Sequence, residues 1–207
     1  MRIHKKLTVF HFENYKQWLI WLRKNHKQPE SIWLQFAKKA SKYKSVTYEE
    51  AREGAIIYGW IDGLMNSLDD DFYLRMFSAR RPRSSWSKIN RGIAEELIAG
   101  KKMSPSGLYQ VELARADGRW DAAYDSQSTI EIPVELKRFL DNNKTAKKNF
   151  DALTSANRYA FLYRIQNSKQ VETKQRHLQN AMDMLKKGEC FYPQAGLTVR
   201  KQAKKKK

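Results

Sequence analysis

Apolar residues recur at two different periods along this chain, and the period changes from one stretch to the next. Tyr15, Trp18, Leu19 and Leu22 stand at i, i+3, i+4 and i+7, which predicts an amphipathic helix over 13–25, widened by Trp21 and ended by the polar run to Pro29. Over 31–38 the pattern becomes an alternation with Ile32, Leu34 and Phe36 on one side, the signature of a strand. Thr47 and Glu50 form a capping-box pair ahead of a helix that runs to Tyr58 and stops at Gly59. The following Gly-Trp-Ile-Asp-Gly reads as a turn, after which 64–67 begins a strand. Asp69, Asp70 and Asp71 turn the chain, and Phe72, Leu74 and Met76 then alternate with Tyr73, Arg75 and Phe77, so a hairpin is expected. Ser84 or Ser85 is placed to cap a helix carrying Ile89, Ile93 and Leu97 that closes at Gly100, and Ser104-Pro105 opens another that reaches Ala116.

After a polar stretch at 125–131, read as a linker, the pattern is helical only: 134–140, 145–153, 155–166 and 171–187, with Gly188 as the stop. The predicted class is α+β. A small antiparallel sheet with flanking helices occupies 1–128, a helical C-terminal region occupies 129–190, and 191–207 is a basic, disordered tail.

Charge changes this picture. The chain carries 40 Lys and Arg against 22 Asp and Glu, a formal +18; the tail from Val199 holds six cations and no acid, which leaves +12 on the rest. Such an excess favours anionic partners, although solubility alone is also served by it. A single Cys190 excludes an internal disulfide framework and a cysteine-based zinc cluster, and His4, His11, His26 and His177 are scattered, so neither a metal nor a cofactor is expected. No apolar run approaches a membrane span and no secretory segment is visible at the start, which predicts a reduced, cytoplasmic protein without a transmembrane segment.

Three motifs combine tryptophan, charge and a break in regular structure. Between Ser78 and Arg91 stand Arg80, Arg81, Arg83, Lys88 and Arg91 with no carboxylate among them, followed by Ser87 where a helix begins. Arginine forks and free backbone N–H groups at a helix start both suit an anion, and internal pairing with Asp62 or Asp69 to Asp71 is the competing reading. In Gly59-Trp60-Ile61-Asp62-Gly63, Asp62 beside Trp60 could orient an arginine, act as a general base, or bond local backbone. In Asp117-Gly118-Arg119-Trp120-Asp121, Arg119, Trp120 and Asp121 could line a wall or form a salt-bridged turn. Interleaved cations and aromatics at Asn157-Arg158-Tyr159 and Tyr163-Arg164 suit either nucleic acid or a helix with basic edges. No glycine-rich phosphate loop, Gly-x-Ser-x-Gly or dinucleotide fingerprint is present.

From about Ser31 to Phe191 the chain resembles the YdeI/OmpD-associated, or bacteriocin-protection, family. The resemblance is carried by the Trp-Leu strand with Lys38-Lys39, Thr47-Tyr48, Gly59 to Gly63, Arg80 to Ser84, Trp86-Ser87-Lys88-Ile89-Asn90, Gly107-Leu108 and Asp117 to Tyr124. It continues with Ser155, Asn157-Arg158-Tyr159, Tyr163-Arg164-Ile165, Glu172-Thr173 and Arg176, and departs at Gln166-Asn167-Ser168 and in the lysine-rich tail. It implies a role in resistance to bacteriocins or cationic antimicrobial peptides, with an envelope or porin-related partner, and implies no catalytic residue set. Direct capture of a cationic peptide conflicts with the basic body.

The expectation is therefore a stress or resistance protein that binds an anionic small molecule or acidic macromolecule. Arg80, Arg81, Arg83 and Ser87 would hold the anion, Trp60, Trp86 and Trp120 would wall the site with Arg119, and Asp62, Asn90 and Asp121 would orient the arginines. One alternative is a nucleic-acid binder using the basic face and tail; another is an enzyme with Asp62 or Asp121 as acid/base.

Overall fold

In the computed structural model of the chain, which describes residues 2–4, 6–168 and 170–200, the alternating stretches pair into one sheet. Its strands are β1 (Arg2–His4), β2 (Leu7–His11), β3 (Ile32–Ala37), β4 (Trp60–Ser67) and β5 (Phe72–Ala79), in spatial order β1-β2-β3-β5-β4. The class is α+β as expected, but the sheet is mixed. β2 runs parallel to β3, with Val9 opposite Trp33, because α1 (Tyr15–Asn25) carries the chain back across the sheet between them. The other pairings are antiparallel. The sequence reading missed β1 and β2 altogether, since Leu7 to His11 supplies too few alternating positions to stand out. Two compact units divide between Ala123 and Tyr124.

In the first unit the helix-covered face of the sheet carries Ile32, Leu34, Phe36, Trp60 and Phe77, packed under Trp18 and Leu22 of α1 and Ala51 and Ala55 of α2 (Tyr48–Ile57). Burial of each large side chain contributes about 1.5–3 kcal/mol. The indoles also find acceptors: Trp18 Nε1 donates to the Ala51 carbonyl at 3.0 Å and Trp60 Nε1 to the His26 carbonyl at 2.8 Å. Thr47 caps α2 with the anticipated capping box, Glu50 N donating to Thr47 Oγ1 and Thr47 N to Glu50 Oε2. Gly59 ends the helix at φ +77, a left-handed angle that glycine adopts without a Cβ clash. The chain then enters β4 directly, so Gly-Trp-Ile-Asp-Gly is the start of a strand and not a turn. A bulge between Asp62 and Met65 lies just beyond it. Helix α3 (Lys88–Ala99) starts at its cap Ser87, two to three residues later than Ser84 or Ser85, because Trp86 is drawn inward first. Helix α4 (Pro105–Ala116) begins after the cap Ser104, as its sequence requires.

The second unit contains α5 (Val134–Asp141), α6 (Lys144–Asp151), α7 (Ser155–Gln166) and α8 (Val171–Lys187) around Leu136, Leu140, Phe150, Phe161, Ile165, Met184 and Leu185. It is not helical throughout: β6 (Glu189–Cys190) pairs in parallel with β7 (Thr198–Val199). Residues 191–200, expected to open a disordered tail, are held to this unit. Asn157 Oδ1 accepts from the backbone N–H of Phe191 and Tyr192, and its Nδ2 donates to the Tyr192 carbonyl and to Gln194 Oε1. The lysine-rich remainder, 201–207, lies outside the described residues.

Candidate functional site

The segment between β5 and α3 is fastened at nearly every residue. Arg80 extends the strand by donating its backbone N–H to the Gly59 carbonyl, and its guanidinium then lies over the Trp86 ring at 3.6 Å with Nη1 donating to the Ser85 carbonyl. Trp86 meets Trp120 edge-on at 5.0 Å. Arg119 braces the loop from behind: its Nε reaches both Asp117 carboxylate oxygens at 2.7 Å and its Nη1 donates to the Ser84 carbonyl at 2.6 Å. Arg91 donates to the Trp120 carbonyl at 3.3 Å. Between these anchors Arg81 and Ser84 close a tight turn on each other, and Arg83 takes a left-handed φ of +67 that a free chain would avoid.

The result divides the residues picked from sequence. Trp60, Arg80, Trp86, Asn90 and Trp120 are buried, between 0% and 7% exposed, and fill the interior instead of walling an opening. Ser87 caps α3 through Asn90 N. Arg81 and Arg83 are exposed, and among the described residues no carboxylate lies within ion-pair reach of either. Asp121 is exposed. Asp62 orients a different arginine: its Oδ2 accepts from Arg75 Nη1 at 2.8 Å and from the Tyr48 hydroxyl at 2.9 Å.

Sequence reading missed this second group. Arg75 lies over the Tyr48 ring at 4.2 Å and Arg52 over it at 5.2 Å. Burial, reinforced by Asp62, pushes the Tyr48 hydroxyl up to about 12. The signal was present in β5, where a charged Arg75 occupies the same face as Tyr73 and Phe77. Beside the group opens a cleft of about 670 Å³ lined by Phe36, Lys39, Tyr43, Lys44, Tyr48 and Tyr73 among others. Nothing in the hydrophobic pattern announces a cleft, because its wall is assembled from β3, β5 and the connection to α2. Among the described residues no group of three or more His, Cys, Asp or Glu is placed to hold a metal, and no helix is long and apolar enough to cross a membrane.

Two family models match the chain, one on each unit. Residues 129–188 match the family described as Bacteriocin-protection, YdeI or OmpD-Associated. Residues 10–110 match a different model, described as Domain of unknown function (DUF8412). The tryptophan and arginine motifs at 59–63 and 80–90 therefore belong to the span of the second model, and the family resemblance rests on the helical unit. Comparison with curated proteins and with solved structures returned no match.

Proposed function

We propose that this chain, whose C-terminal unit carries a YdeI/OmpD-associated, bacteriocin-protection domain, is a protective protein that docks an acidic macromolecular partner on the exposed arginines of its N-terminal unit. The observation that carries the reading is the pairing of rigidity with vacancy of charge. The 80–87 loop is pinned by Arg80 on Trp86 and by Arg119 on Ser84, yet it presents Arg81 and Arg83 to solvent with no carboxylate in ion-pair reach among the described residues. Pinning lowers the ordering cost of binding, and guanidinium forks suit carboxylate or phosphate. Because the tryptophans fill the space beneath the loop, the site offers a surface and not a pocket, which favours a macromolecule over a small anion. Residues 1–123 hold 22 Lys and Arg against 14 Asp and Glu, so the surrounding field supports the same partner.

The test measures binding of the full chain to poly-L-glutamate, with phosphatidylglycerol vesicles and duplex DNA as comparators, in parallel with an R81E/R83E variant. Poly-L-glutamate binding should fall at least about tenfold in the variant, with its melting temperature unchanged, and should weaken with salt. Cells expressing the variant should also lose protection against a bacteriocin. Equal binding by both proteins would remove the loop from the reading. Binding confined to duplex DNA would make the partner a nucleic acid.

A further inference from the structure

Met65 stands at the bulge of β4, an edge strand, directly opposite Arg75 of β5. Gly63 and Leu64 fall between the paired Asp62 and Met65 with only Met76 opposite them, and the bulge leaves Leu64 68% and Met65 60% exposed. Among the described methionines Met65 is the exposed one: Met184 is buried, and Met76, Met103 and Met182 are half-buried. Its thioether has a fixed neighbour, since Arg75 Nη2 donates to Met65 Sδ at 3.9 Å. Arg75 is itself held from two other sides, its Nη1 on Asp62 at 2.8 Å and its guanidinium over the Tyr48 ring at 4.2 Å. It is also short of acceptors. A guanidinium carries five N–H donors. Among the described residues those of Arg75 meet one carboxylate oxygen and one thioether sulfur, and its Nε is buried with no acceptor.

We propose that Met65 is a reversible oxidation site, where a hydroperoxide converts the thioether to a sulfoxide that Arg75 then binds. Met65 Sδ attacks one peroxide oxygen, and the O–O bond breaks as the S–O bond forms. The proton left on the sulfur-bound oxygen passes to the departing hydroxide, so sulfur loses two electrons and the peroxide is reduced to water. A methionine sulfoxide reductase reverses the step with two thiols, which leave as a disulfide and water. The product fits without movement of either group. An S–O bond of about 1.5 Å and an N–H···O contact of about 2.8 Å, meeting at about 125°, span the 3.9 Å between Sδ and Nη2. A thioether is a weak acceptor and a sulfoxide oxygen a strong one. Oxidation therefore adds a charge-assisted bond between β4 and β5 where the bulge interrupts their pairing. The same change in a core disrupts packing; at this exposed position there is little packing to lose. The site uses no residue of the 80–87 loop and is independent of the partner assigned to it.

Hydrogen peroxide serves as the probe, added to the full chain and followed over time by peptide mapping with mass spectrometry. Met65 should gain one oxygen at least about tenfold faster than Met184, and ahead of Met76, Met103 and Met182. At the stage where Met65 is oxidised and those four are intact, the melting temperature should stand at least about 2 °C above that of the untreated chain. A methionine sulfoxide reductase with dithiothreitol should return both the mass and the melting temperature. M65L, altered at an exposed position, should fold normally and show no rise under the same treatment. R75K, which keeps the charge without the planar fork, should lose most of the rise relative to its own untreated form. R81E/R83E should oxidise and respond as the unaltered chain does. A chain oxidised at Met65 that melts at or below the untreated one would overturn the proposal, as would a rise that persists in M65L. Oxidation of Met65 no faster than that of Met184 would do the same.

Discussion

Replacing Gly107 by alanine tests the packing that sets α4 against α2. A Cβ at this position would meet the Ile57 carbonyl oxygen well inside contact distance, with Met103 Cε at 2.8 Å and the Ile56 carbonyl oxygen at 2.9 Å. Met103 can swing aside, but the two carbonyls belong to the last turn of α2, so α4 has to retreat by about an ångström. That retreat stretches the bonds that tie the helices: Ser104 Oγ to the Ile57 carbonyl at 2.6 Å and Ser106 Oγ to the Tyr58 carbonyl at 3.1 Å. Overpacking costs about 1–3 kcal/mol and each weakened bond up to about 1 kcal/mol, while alanine recovers about 1 kcal/mol of helix propensity. The net expectation is a loss of about 2 kcal/mol, and at most about 4, or about 4–8 °C in melting temperature for the central value. G92A is the internal control. It lies within α3 with nothing inside 4 Å of its added Cβ, and should gain about 0.5–1 kcal/mol. Urea unfolding followed by circular dichroism measures both. A G107A midpoint at or above that of the unaltered chain would refute the close-packed α2–α4 contact.

Asn157→Ala should free the C-terminal segment, because it removes four hydrogen bonds and leaves the Phe191 and Tyr192 N–H groups unmet, at about 2–5 kcal/mol. Limited proteolysis read by mass spectrometry should show faster cleavage within 191–200, and unchanged cleavage would sink the assignment. Alkaline pH should destabilise both units: burial above all, with Asp62 at Tyr48 and with Tyr124 at Tyr159, raises both hydroxyls from 10 to about 12. The unfolded chain then releases these protons first, so the stabilisation is complete below pH 10 and is lost as pH rises towards about 12. Urea midpoints that stay level over that interval would contradict it, and Y48F and Y159F should each flatten the decline.

Local signals were the legible part of the fold. Thr47 with Glu50, Ser104 with Pro105, Gly188 after α8 and the alternation through β5 each act within a turn or a strand, so a short window contains the whole cause. What escaped depends on partners far along the chain. β2 becomes a strand because Trp33 and Leu34 offer it a parallel edge, more than twenty positions away, and the sheet is mixed for that reason. β7 likewise forms only where β6 and Asn157 hold the chain.

The candidate site shows why residue type alone misleads. A tryptophan beside an arginine is the vocabulary of a ligand pocket and equally of a satisfied core, and the choice between them is made by a third residue. For Trp86 that residue is Trp120, arriving from 34 positions later to seal it from solvent, so Arg80 becomes the lid of a core and not the wall of a site. The informative cations are instead the ones the fold does not consume. Arg75, Arg80 and Arg119 are spent on Asp62, Trp86 and Ser84, whereas Arg81 and Arg83 are left exposed on a loop whose backbone is tied down. An exposed charge contributes little to stability, and this is the physical ground on which Arg81 and Arg83 are proposed to serve a partner.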